Sequence, residues 1–570
     1  MKIPVLKNKY KMPESIRSVL RNSAEKYGEK IAYKYFISAT DVAEMSYRRL
    51  YDNYNYVGTS ICNLGLQKKK IAILADNRPE WMIAYMAVIG SGSVVVPLDK
   101  DLLTAQIENF LSYADVDAVF CAGKYVEQIA AMNLPNLKYI IDFDNTSNED
   151  KKHISFEKIL ADGERLIAEE FNDFFNVRYD SSKMSALIFT SGTTGTSKGV
   201  MLSEDNLLTA LNAASNMIDI DSDNVLLSVL PMHHTYETTA GQLTALRLGV
   251  TICINNSLKY VMRNMKLFRP TMMVVVPLYI TTIKKKISDE IKKRNKEKMI
   301  GVGVKATKVL RKIGVDTRGI VFSEVLSALG GRLKTIVCGG AATDPEAIVW
   351  FENLGINVFQ GYGITECSPL VAVNPLVNIH YDSVGLPILG SRVKIISDED
   401  GVEKDLSTGE IGEICVKGGH VMLGYYNNEV ATQAAFTEEG YFRTGDFGYL
   451  DDDGYLYITG RKKNIIILDN GKNVYPEEIE EYLERIELIK ECVVIGRENS
   501  NGEIVITALI YPDYDQFKGK TDNEIAEKMR FEVANVNKLL PTFKQIRNIE
   551  LKKTEFEKTT TKKIMRYKLS

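Results

Sequence analysis

Thr190–Val200 reads TSGTTGTSKGV and follows the apolar run ALIF at 186–189. A short aliphatic run that stops in a Gly/Ser/Thr cluster predicts a buried strand ending in an exposed loop. Gly192 and Gly195 let the backbone approach phosphate oxygens. The hydroxyls of Thr190, Ser191, Thr193 and Thr194 and the ammonium of Lys198 supply donors and positive charge. The stretch therefore reads as a polyphosphate-gripping loop, with a plain turn as the alternative on these residues alone. It is not a Walker A loop, because neither glycine stands where GxxxxGK[ST] needs it before Lys198.

Working outward, the runs IAILAD (71–76), DAVFCA (117–122), KYIIDF (138–143), MMVVVP (272–277), KTIVCGG (334–340) and INVFQGYG (356–363) alternate with amphipathic stretches. Buried parallel strands with helices on both faces give this pattern. From about residue 384 the texture changes to short alternating segments, SRVKIIS, GEICVKG and GYLYITGR, which predict an antiparallel, barrel-like piece. Beyond it, PEEIEEYLERI starts a helix with Pro in its first turn, and two strands and a second helix at 523–539 follow. The fold class is thus α/β. A large N-terminal domain of parallel sheets is expected over 1–460, with a β-rich subdomain at about 384–460 and a small α+β domain over 461–570.

Composition narrows the function. Of 570 residues, 71 are Lys or Arg and 74 Asp or Glu, so no overall field attracts nucleic acid. The seven cysteines include no CxxC pair, which points to a reduced, cytoplasmic setting without structural zinc. The N-terminal stretch lacks the apolar run of a signal peptide. Trp81–Leu98 is free of charge but holds Gly90, Gly92 and Pro97, so it reads as a buried helix, a turn and a buried strand. The run 284–298 carries eight basic and three acidic residues, a solvated face in the plain reading and a peripheral contact with anionic lipid in the other.

Four further motifs suggest chemistry. In QGYGITE (360–366) a strand-end turn presents Tyr362, Thr365 and Glu366. A carboxylate beside a phosphate loop suits Mg²⁺, which prefers few protein oxygens plus phosphate. The glycines of VCGGAA (337–342) permit close approach to a flat ring. Asp446 in YFRTGD suits capture of two hydroxyls. LPMHHTYE (230–237) carries adjacent histidines. Singly, each has a plain structural reading: a core tyrosine, a strand end, a turn aspartate, a satisfied histidine.

Together with YFRTGDFGYLDDDGYLYITGRKKNIII (441–467), NVYPEEIE (473–480) and KTTTKKIMR (558–566), these motifs occur in one order, and the chain from about residue 15 onward resembles the AMP-forming adenylate-forming superfamily. The resemblance implies phosphate contacts by the 190–198 loop and Thr365, and Mg²⁺ at Glu366. It implies adenine against Gly340, Ala341 and Tyr362, and ribose on Asp446 and Arg461. His234 would lie between the carboxylate pocket and the phosphates, Lys463 at the hinge of a mobile C-terminal domain, and Lys563 would be the catalytic lysine. Here the chain departs from the family pattern, with Lys562 where glycine is usual and Glu557 where proline often lies.

The implied activity joins a carboxylate to ATP, releasing pyrophosphate and forming acyl-AMP, then passes the acyl group to a thiol. ATP, Mg²⁺ and coenzyme A are the implied cofactor and substrates. The long segment between Pro277 and the strand at 334–338 resembles long-chain fatty acyl-CoA synthetases, so a fatty acid is the expected substrate. An acyl carrier protein is the alternative acceptor, and a non-catalytic nucleotide- or lipid-binding relative is the third reading.

Overall fold

The computed structural model describes residues 9–145, 152–190, 198–399, 402–468, 472–499, 503–558 and 564–569. Its packing divides into two compact units. The first holds residues up to Thr190, Lys198–Arg392 and Lys417–Ala434; the second holds Val393–Val416 and everything from Ala435 onward. The antiparallel sheet after residue 390 thus packs mainly with the C-terminal segment, and the expected boundary at 460/461 falls inside the second unit.

The first unit is built on two sheets. One has eight strands, in the order Gly424–Tyr425, Lys198–Ser203, Met184–Thr190, Val94–Pro97, Lys70–Leu74, Ala118–Cys121, Tyr139–Asp142, His153–Ser155. From Met184–Thr190 to His153–Ser155 every neighbour is parallel, while Lys198–Ser203 and Gly424–Tyr425 close one edge antiparallel. The other sheet has nine strands, with Thr251–Ile254, Val225–Ser228, Met272–Val275, Thr335–Cys338 and Asn357–Tyr362 as its parallel centre. Each apolar run quoted above as a strand is one, because a strand covered on both faces needs aliphatics at every position. Val95, Val96, Ile71–Leu74, Ala118–Cys121 and Met272–Val275 are all buried.

Trp81–Leu98 resolves as read: a helix Pro79–Gly90, buried at every position but Glu80, then a strand Val94–Pro97. Among the described residues no helix is long and apolar enough to cross a membrane.

The second unit joins two layers. A five-stranded sheet runs Val402–Asp405, Ser391–Glu399, Gly412–Gly418, Phe442–Leu450, Leu456–Arg461. A three-stranded sheet follows, in which Ile504–Pro512 pairs antiparallel with Ile489–Glu498 and parallel with Asn548–Leu551. The helices Pro476–Glu484 and Asp522–Asn537 cover it, burying Ile479, Leu483, Ile525, Met529 and Val533 against Val494, Ala508 and Ile510. Pro476 opens its helix, with Glu477 and Glu478 in the first turn, where the helix dipole favours acids.

Candidate active site

The first unit carries, at or near its strand ends, most of the predicted residues that the structure describes. Thr190 is the last residue of Met184–Thr190 and pairs across the hairpin with Lys198. Ser191, Gly192, Thr193, Thr194 and Gly195 lie outside the described residues. Beyond the hairpin, the ammonium of Lys198 stands 4.4 Å from the ring centre of Tyr425. The Tyr425 hydroxyl in turn donates to Glu366 Oε1 at 3.0 Å. Burial, then the Glu366 charge, pushes the Tyr425 phenol well above its ordinary pKa, so it stays a donor. The result is a line of Lys198, Tyr425 and Glu366: a cation and a carboxylate held apart on one aromatic bridge beside the hairpin.

This geometry rests on one edge of the sheet. Gly424 and Tyr425 pair with Met201 and Val200, and the Met422 amide donates to the Glu366 carbonyl at 2.8 Å. Tyr425 was not singled out in the sequence. GYYNN offers two adjacent tyrosines, and only the register of this edge decides which one faces Glu366.

Tyr362 closes the strand Asn357–Tyr362 and is 8% exposed. Its neighbour Thr335–Cys338 runs parallel and ends just before Gly340 and Ala341, which are exposed. Gly340 has φ +87°, a left-handed conformation that glycine adopts without strain. A Cβ on Gly363 would stand 1.7 Å from the Pro369 carbonyl oxygen, so only glycine lets the 363–369 turn close. That turn holds Thr365 and Glu366 in a short 3₁₀ segment, Thr365–Cys367. The strand ends therefore leave Gly340 and Ala341 exposed, with Tyr362 closing the neighbouring strand and Thr365 and Glu366 in the turn after it.

The adjacent histidines are both partly buried, with ring centres 4.0 Å apart. His233 Nε2 lies 3.4 Å from Asp99 Oδ2. Three donors fix the carbonyl of His234: Thr238 Oγ1 at 2.8 Å and the Glu237 and Thr238 amides, each at 3.0 Å. Asn77 pins the same turn, giving its Nδ2 proton to the Leu230 carbonyl and accepting from the Met232 amide. Behind them Glu237 is fully buried, accepting from Ser228 Oγ at 2.6 Å and Gln242 Nε2 at 2.8 Å. Burial lifts its carboxyl to about 7, opposed by those two bonds.

In the second unit, Asp446 and Arg461 face each other across paired strands, with Arg461 Nε 3.0 Å from Asp446 Oδ1. Asp446 is 3% exposed and Arg461 more open. The Asp446 amide donates to Thr444 Oγ1 at 3.0 Å, and that hydroxyl donates to the Ile414 carbonyl at 2.8 Å. Lys463 follows two residues after Arg461; burial, then repulsion from Arg461 and Arg566, lowers its ammonium to about 8. Lys563 lies outside the described residues, as does Lys562. Its flanks are anchored. Lys558 and Ile564 form a β-bridge, Lys558 pairs with Glu491, and Arg566 pairs with Glu480. All seven cysteines are buried and unbridged.

In the first unit, an exposed glycine at parallel strand ends and a lysine and a carboxylate bridged by Tyr425 suit a nucleotide-handling protein; the second unit by itself carries an Asp–Arg pair. Residues 20–426 match the family model for the AMP-binding enzyme and residues 463–570 that for the AMP-binding enzyme C-terminal domain, so the chain belongs to the AMP-binding enzyme family. It is 28% identical over 494 residues to long-chain-fatty-acid–CoA ligase 5 of Mus musculus, covering 83% of this chain and 71% of that one. It is also 28% identical over 479 residues to long-chain-fatty-acid–CoA ligase FadD15 of Mycobacterium tuberculosis, covering 80% and 76%. Among solved structures, ATP-bound MatB from Rhodopseudomonas palustris superposes with a TM-score of 0.75 at 23% identity, covering 97% and 98%. The anthranilate CoA ligase AuaEII with anthranoyl-AMP gives 0.77 at 20%, covering 98% and 97%. These two structures establish the shared fold.

Proposed function

We propose that this chain is an AMP-forming acid–thiol ligase that activates a fatty acid and transfers it to coenzyme A. Membership of the AMP-binding enzyme family, together with relatives named long-chain-fatty-acid–CoA ligases over most of the chain, supports that reading. The observation that carries its chemistry is the Lys198–Tyr425–Glu366 line beside the hairpin.

In the first half-reaction a fatty carboxylate oxygen attacks the α-phosphorus of ATP. A new P–O bond forms, the α–β bridge breaks and pyrophosphate leaves. Lys198 and the 190–198 hydroxyls hold the outgoing phosphates, Thr365 contacts them, and Gly340, Ala341 and Tyr362 receive adenine. Asp446 accepts from the two ribose hydroxyls, with Arg461 beside it. His234 borders the carboxylate, and Lys563 offsets the charge gathering where carboxylate and phosphate combine. Glu366 fits a Mg²⁺ role: it is one partly exposed carboxylate, already aimed by Tyr425, whose ring also carries Lys198. Bound there, the ion would neutralise phosphate charge.

In the second half-reaction the thiolate of coenzyme A attacks the acyl carbon and AMP departs. No protein nucleophile is required, which agrees with seven buried cysteines. Lys463 serves as the hinge about which the residues after 460 turn, withdrawing Lys563 and admitting the thiol. A peripheral contact with lipid, which the charge of the 284–298 run first suggests, would bring the enzyme to where its substrate dissolves.

Pyrophosphate release from Mg·ATP, with acids from acetate to oleate, each with and without coenzyme A, tests the reading. Sustained release with a long-chain acid only when coenzyme A is present supports it. Single-turnover adenylation that coenzyme A does not relieve moves the acceptor to an acyl carrier protein. No release with any acid refutes the ligase assignment.

A further inference from the structure

The basic region at 284–298 forms most of the helix Pro277–Lys293, which turns Tyr279, Ile280, Ile283 and Ile287 into the core. Several of its cations are occupied: Lys284 lies 3.7 Å from Asp344, and Arg294 and Lys296 both reach Glu324. The next helix, Glu297–Lys312, behaves differently. Thr307 is its one buried residue. Met299, Val302, Val309 and, just past its end, Ile313 are 56%, 67%, 64% and 72% exposed, and Ala306 between them is exposed as well.

These five apolar positions are spaced to fall within about 80° of one another at about 100° per residue. Lys298, Lys305, Lys308 and Lys312 run along one flank of that stripe. None of these four lysines pairs with an acid among the described residues. Nearby, Val315 and Ile320 add further exposed apolar surface at 46% and 79%. An apolar stripe with a lysine row beside it, presented outward from a packed unit, has the form of a helix lying in the plane of a membrane interface.

We infer that the helix Glu297–Lys312 docks on an anionic bilayer, its Met299–Val302–Ala306–Val309–Ile313 stripe entering the acyl boundary and its lysine row meeting lipid phosphates. Charge selects this occupant. A second copy docked through the same patch would set lysine row against lysine row, whereas phosphates complement the row and the stripe is covered in the same step. The contact surface thus moves from the 284–298 run to the helix that follows it.

The test is sedimentation of the full-length protein, without substrates, with vesicles of phosphatidylcholine alone or mixed with phosphatidylglycerol. Measured without turnover, it stands or falls independently of the ligase reading. Binding to the mixed vesicles is expected to weaken with salt and to fall about tenfold or more in Val302→Glu/Val309→Glu and in Lys305→Glu/Lys308→Glu. The change should leave melting temperature intact, since these side chains are exposed. Lys285→Glu/Lys286→Glu, on the preceding helix, should bind within about threefold of the parent. The inference is overturned if neither pair on the Glu297–Lys312 helix weakens binding, if the Lys285/Lys286 pair weakens it equally, if the parent does not bind, or if sedimentation velocity shows a dimer that Val302→Glu/Val309→Glu dissolves.

Discussion

Replacing Tyr425 with Phe removes one oxygen and leaves the ring. Lys198 keeps its aromatic face at 4.4 Å, while Glu366 loses the donor at 3.0 Å. A hydrogen bond to a charged acceptor contributes about 1.5–3 kcal/mol. With about 1.4 kcal/mol per tenfold, kcat/KM for ATP should fall about 10- to 100-fold. Tyr425→Leu also removes the ring and its cation contact, worth about 0.5–2 kcal/mol, so a further loss of about 2- to 30-fold should follow. The assay is initial-rate pyrophosphate release at saturating fatty acid with varied Mg·ATP, alongside melting temperatures. The KM for fatty acid should hold, because the phenol acts on the phosphate side through Glu366. Tyr425→Phe activity within about twofold of the parent, or a loss confined to the KM for fatty acid, would refute the bridge.

Asp446→Asn removes one charge from the pair with Arg461 at 3.0 Å. The KM for ATP should rise about 10- to 100-fold, by the same charged-bond scale, with the fatty-acid KM unmoved; an unchanged ATP KM would remove Asp446 from the ribose site. Glu237 gives a pH signature. Its carboxyl is raised from 4.5 to about 7 in the fold, so the folded state keeps a proton that the unfolded chain has lost. Stability should therefore fall as pH rises from about 4.5 through about 7. Glu237→Gln mimics the protonated form and should flatten the melting-temperature profile over that window; an equal decline in the variant would contradict it. Burial raises the thiols of Cys62, Cys253, Cys338 and Cys415 to about 11 or about 12. Native protein treated with iodoacetamide should keep its activity, and inactivation that tracks alkylation of one cysteine would point to a missed nucleophile.

The parallel sheets were legible because doubly covered strands demand unbroken aliphatic runs, as in Ile71–Leu74 and Met272–Val275. The C-terminal helix at Pro476 was equally plain from its proline and acidic first turn. The sequence also places Thr190, Lys198 and Tyr362 at or next to strand ends and Glu366 in the turn after one, and the structure has them there. Residues that act across the chain were not visible. Asn77 fixes a turn more than 150 residues away, and Tyr425 reaches Glu366 over 59 positions. Nothing local in their sequence marks either one. Glu237 reads as an ordinary polar residue until Ser228 and Gln242 close around it. The stripe on Glu297–Lys312 shows the reverse limit. Apolar periodicity predicts a helix face that is covered, but coverage depends on what packs there, and among the described residues nothing in the same unit buries Met299, Val302 or Val309.

The most direct test follows oxygen. Oleate carrying a heavy oxygen isotope in both carboxylate positions is turned over with ATP and coenzyme A, and the nucleotide and pyrophosphate are weighed by mass spectrometry. Attack on the α-phosphorus followed by thiolysis predicts one heavy oxygen in every AMP released and none in pyrophosphate. Heavy oxygen appearing in inorganic phosphate with ADP as the other product, or AMP without label, would contradict an acyl-adenylate and with it the account of this site.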